Sequence, residues 1–67
     1  MGAYIYLGTS TRESRRKLLN IGRAMGAQHI RKMTIGEHIA ALANRGDARA
    51  IQYCEANPDI WHLQCVK

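Results

Sequence analysis

The sequence predicts a small α+β domain, and three observations point to it. Apolar and polar residues alternate over residues 3–7 and again over residues 60–66, which is the period of a strand. Two motifs of a hydroxyl residue followed three positions later by Glu, Ser10 with Glu13 and Thr34 with Glu37, each precede apolar residues at helical spacing. Gly46-Asp47 then divides the later helical stretch in two, as a C-terminal cap followed by an N-cap would.

Taken in order, residues 3–7 place Ala3, Ile5 and Leu7 on one strand face and Tyr4 and Tyr6 on the other; Ile5 and Leu7 count among the apolar residues that could share a core, and the tyrosines are expected to pack against a helix or a partner chain. Gly8 permits a turn. Ser10 is the expected cap of a helix over residues 11–25, with the Glu13 carboxylate reaching back to it, and Gly26 ends that helix. On a helical wheel Leu18, Ile21 and Met25 share a narrow arc. Arg12, Arg16 and Arg23 lie nearly opposite, Arg15 just outside them, and Leu19 falls on the basic side. Residues 27–33 fit either a second strand or an irregular connection. As a parallel strand they would complete a right-handed strand-helix-strand unit.

Thr34 caps a second helix with Ile35, Ile39 and Leu42 at helical spacing, ending over residues 44–46. Asp47 caps a third helix that runs through Asn57 and buries Ile51 and Cys54. Ala40, Ala41, Ala43, Ala48 and Ala50 let this helical hairpin close tightly. Pro58 ends the third helix. The tail alternates Trp61, Leu63 and Cys65 against Ile60, His62 and Gln64. It is expected to form a short C-terminal strand paired with residues 3–7, with a short helix as the alternative.

A chain of 67 residues forms one domain, here residues 1–67. At this size apolar burial and chain entropy nearly cancel, so a homodimer or partner contact would add needed stability. Strands at both ends leave sheet edges that favour such contacts. Ten Lys and Arg against five Asp and Glu give a net charge of +5, which favours polyanionic partners. No apolar run is long enough to span a bilayer, so no membrane partner is expected. The N-terminus lacks the signal-peptide pattern, and Tyr6 stands where a myristoylation signal needs Ser or Thr. The expected compartment is the cytoplasm, with Cys54 and Cys65 as free thiols.

The arginine face is the strongest functional signal. Guanidinium groups on one helix face contact phosphates along a nucleic-acid backbone, so Arg12, Arg15, Arg16, Lys17 and Arg23 form the expected nucleic-acid surface, with Arg31 and Lys32 adding to it. The alternative is a protein-binding inhibitor or adaptor, of the kind that phages and mobile elements encode, acting on a larger protein. Its contact surface would be Tyr4, Tyr6, Trp61 and the sheet edge.

Other motifs carry less. Tyr-Ile-Tyr-Leu-Gly at residues 4–8 resembles the first strand of RNA-recognition-motif domains, but the chain has no Phe and so lacks that family's second aromatic strand. The same segment followed by Ser10 and Thr11 resembles serine-recombinase N-termini. Leu7 or Gly8 stands where that family's catalytic Arg would be, and neither resemblance identifies the chain. Cys54, His62 and Cys65, with His29 or His38, match no common zinc spacing, so no metal or cofactor is expected. A Cys54–His62 nucleophile pair is the one catalytic arrangement to weigh. Cys54 falls on an apolar helix side, the acids are scattered and there is no glycine-rich phosphate loop, so no enzymatic activity is expected. Arg45-Gly46-Asp47 is a helix-helix turn rather than an adhesion motif. Arg49 and Gln52 share their helix with Glu55, which suits a DNA-reading helix poorly.

Overall fold

The two alternating segments meet in space. In a computed structural model, which describes residues 2–26 and 34–65, the order is β1 (Gly2–Tyr6), α1 (Arg12–Ala24), α2 (Ile35–Asn44), α3 (Ala48–Ala56) and β2 (Trp61–Cys65). This is the predicted small α+β arrangement. β1 and β2 pair antiparallel, from Gly2 opposite Cys65 to Tyr6 opposite Trp61. Leu7 N–H donates to the Ile60 carbonyl at 2.8 Å and closes the ladder. Residues 27–33, which fit either a second strand or an irregular connection, lie outside the described residues.

Local capping sets each helix start. The cap of α1 is Thr11, one residue later than Ser10, and its partner is Ser14 rather than Glu13. Thr11 Oγ1 accepts from Ser14 N–H at 3.0 Å, and Ser14 Oγ accepts from Thr11 N–H at 3.2 Å. The reason is the phase of the buried stripe. Ser14 lies on the same face as Leu18 and Ile21 and is buried, whereas Glu13 is one step round and exposed. Thr34 caps α2 as predicted, accepting from Glu37 N–H at 3.2 Å. Asp47 caps α3, its Oδ1 accepting from Arg49 and Ala50 N–H. Gly46 makes the turn between them at φ 96°, a left-handed conformation that other residues rarely adopt. Ala40, Ala43 and Ala50 are buried where α2 and α3 pack, while Ala48 is exposed.

The tyrosine face of β1 packs inward, in keeping with the reading of Tyr4 and Tyr6 as packed against a helix, while Ile5 and Leu7 do not join the core. Ile5 and Leu7 are 41% and 58% exposed, and Tyr4 and Tyr6 turn toward the helices. Gly36, in the first turn of α2, decides this. A Cβ at Gly36 would overlap the Tyr6 ring, so only glycine lets that ring lie on the helix. Trp61, opposite Tyr6 across the ladder, donates its indole N–H to the Gly36 carbonyl at 2.8 Å. The two rings sit 6.4 Å apart, tilted by 48°. Trp61, Ile39, Ile60 and Cys54 are the largest fully buried side chains. Leu63, also counted among the possible core residues, is 46% exposed.

A nonlocal contact positions β1. Asn44 at the end of α2 accepts from Tyr4 N–H at 2.6 Å and donates to the Tyr4 carbonyl at 3.1 Å. One side-chain amide thereby supplies both bonds that a neighbouring strand would make.

Gly36→Ala is expected to lower stability by about 1–3 kcal/mol despite the better helix propensity of Ala, because the Tyr6 ring is hemmed in by Trp61. Gly22→Ala meets the Ile35 side chain first, which can shift, and should cost less. Urea unfolding followed by Trp61 fluorescence gives both values.

Candidate functional site

Helix α1 is attached along one narrow stripe. Ser14, Leu18, Ile21 and Gly22 are buried, with Met25 half-buried, and the helix packs chiefly on α2. A Cβ at Gly22 would come within 2.8 Å of Ile35, so the two helices approach closely there. The rest of the circumference faces solvent.

The structure brings four of the predicted arginines together. Arg12, Arg16 and Arg23 fall within an arc of about 40° at helical geometry, with Arg15 on one flank. All four are exposed, and among the described residues none donates a side-chain hydrogen bond. Arg12, Glu13 and Arg16 border an open depression of about 490 Å³. Leu19, 49% exposed, sits among the arginines as an apolar centre. Lys17 is exposed but stands away from this arc, one turn after Glu13 on the same side of the helix. Arg31 and Lys32 lie outside the described residues.

The alternative surface does not assemble. Trp61 is 1% exposed, so it cannot anchor a partner. Tyr6 is packed on the core, and Tyr4 is half-buried with its hydroxyl donating to Glu55 Oε1 at 3.3 Å. Partial burial, then the Glu55 charge, raises the Tyr4 pKa.

Tyr4, Cys54, Glu55, Trp61, His62 and Leu63 are among the residues around a second depression of about 230 Å³. No hydrogen bond joins Cys54 to His62 among the described residues. Burial, with Glu55 adding to it, pushes the Cys54 thiol up to about 11, which is opposite to the depressed pKa of an activated nucleophile. Among the described residues no three His, Cys, Asp or Glu side chains are placed to hold a metal. No helix of the described residues is long and apolar enough to cross a membrane.

Compared with protein-family models, with curated proteins and with solved structures, the chain matches none.

In native protein a thiol reagent should modify the exposed Cys65 promptly at neutral pH and Cys54 only after denaturation. Because the fold raises the Cys54 pKa, its contribution to stability is complete below the ordinary thiol range. That contribution is lost as pH rises through about 11. Alkaline unfolding of a Cys54→Ala variant should lack this component.

Proposed function

We propose that the chain is a non-enzymatic module that binds nucleic acid through the exposed face of α1. The carrying observation is the set of Arg12, Arg15, Arg16 and Arg23 side chains, exposed on one helix and committed to no hydrogen bond among the described residues. Guanidinium groups in that state contact phosphate oxygens and release counterions, which drives binding without base recognition. The net charge of +5 favours the encounter. Leu19 would lie against sugar or base edges between the phosphate contacts. Lys17 adds long-range attraction, and Arg31 and Lys32 are the other basic residues assigned to the surface. The reducing cytoplasm is a fitting compartment for two unpaired thiols. The inhibitor or adaptor reading loses Trp61 as its anchor and keeps only the sheet edge.

Fluorescence anisotropy with labelled single- and double-stranded DNA and RNA tests this. Binding should weaken steeply with salt, with a log-log slope of about −3.6 or steeper on duplex if at least four phosphates are neutralised. Changing Arg12, Arg16 and Arg23 together to Glu should abolish binding and leave the circular dichroism unchanged, since these side chains are exposed and make no hydrogen bond among the described residues. Binding that survives the triple change would refute the assignment, as would no binding at low salt.

A further inference from the structure

The two-stranded sheet is chemically unlike the rest of the chain. No Lys, Arg, Asp or Glu lies in β1 or β2, although the chain carries a net charge of +5. Edge strands of monomeric proteins are usually guarded by charged side chains, and this sheet has none. His62 to Cys65 are all exposed, on both faces of β2, and Leu63 leaves nearly half its surface in water.

The backbone tells the two edges apart. In an antiparallel ladder, opposed residues alternate between bonding each other and pointing their N–H and C=O groups outward. Leu7 bonds Ile60, so Ile5 faces His62 and Ala3 faces Gln64 as bonded pairs, while Tyr4 and Leu63 point outward on opposite edges. Asn44 satisfies both outward groups of Tyr4 and confirms that phase. The corresponding groups of Leu63, and those of Cys65, have no partner among the described residues. Trp61 N–H is already committed to the Asn57 carbonyl at 3.1 Å. The open stretch therefore starts after Trp61.

We infer that this outer edge of β2 pairs antiparallel with the same edge of a second copy, extending the sheet to four strands across a two-fold axis. A second copy fits better than a foreign strand for two reasons. Two chains of charge +5 repel each other wherever their basic surfaces meet, and the uncharged sheet is where that repulsion is least. An edge with outward donors and acceptors on the same residues is also self-complementary about a two-fold axis, each N–H of one copy meeting a C=O of the other and the reciprocal bond following by symmetry. Pairing covers Leu63 and satisfies the open groups of Leu63 and Cys65. The contact is short and falls below the roughly 1,200 Å² of a tight interface, so the dimer is a weak one, with dissociation in the micromolar range or above.

Sedimentation equilibrium from about 1 μM to 1 mM, combined with hydrogen exchange read at single amides, tests the pairing. The mass should rise from 7.5 kDa toward twice that value. Exchange of the Leu63 and Cys65 amides should slow several-fold with concentration, while His62 and Gln64, bonded to β1, stay protected throughout. Leu63→Pro removes a donor that β1 does not use and should leave a folded monomer. Leu63→Lys adds the missing edge charge, should do the same, and keeps the test open if the proline variant does not fold. A chain that stays monomeric to 1 mM overturns the inference, including one that captures only foreign strands. So does a dimer that forms with Leu63 and Cys65 amides unprotected, or one that survives the lysine variant.

Discussion

The contact among Trp61, Gly36 and Tyr6 is the constraint from which the rest of the structure follows. The chain has one Trp and no Phe, so a single indole supplies much of the large apolar surface available to the core. An aromatic side chain buries 150–250 Å², or roughly 4–6 kcal/mol of gross transfer free energy at about 25 cal/mol per Å². That gain requires the indole N–H to be satisfied inside, and the Gly36 carbonyl does this. The same glycine accepts the Tyr6 ring. Both strands are thereby fixed to the first turn of one helix, and the first and last elements of the chain must pair.

That constraint also explains what was legible in the sequence. Helix caps at Thr34 and Asp47, the turn at Gly46 and the stop before Pro58 depend on neighbours within four residues, and each was readable. The pairing of the terminal strands was readable because both alternate. The inward face of β1 was readable only in part: the tyrosines are expected against a helix or a partner chain, but Ile5 and Leu7 also count as possible core residues. Both faces offer large apolar surface, and the bare Cα of Gly36, thirty positions from Tyr6, is what gives the Tyr6 ring room on the helix. The cap of α1 failed for a related reason: Ser10–Glu13 and Thr11–Ser14 are both sound local solutions, and burial of Ser14 selects the second. Asn44 gave no signal, since its partner Tyr4 is forty residues away.

The candidate site shows the same division. Four arginines on one face of α1 follow from periodicity within a single helix, so the sequence placed them together without any tertiary information. The exposure of that face depends on α1 meeting the rest of the molecule only through a stripe of small and aliphatic side chains. The aromatic alternative needed residues from both strands to be outside together, and the core claims them. Sequence composition marked Trp61 as a strong anchor, and the fold uses it as one, toward the interior.

Charge is distributed so that these two regions answer to different forces. Arginines crowded on a short helix repel one another and disfavour the folded state by a small amount that salt screens. The α1 stripe must outweigh that repulsion, and an anion bound to the face would remove it, so binding there would stabilise the helix as well as the complex. The sheet has no such term. Its open edge lacks charge to attract or repel, and the association inferred there rests on backbone groups and Leu63. Salt should therefore act oppositely on the two surfaces: it weakens anion binding at α1, and by screening the net charge it eases the approach of two sheets.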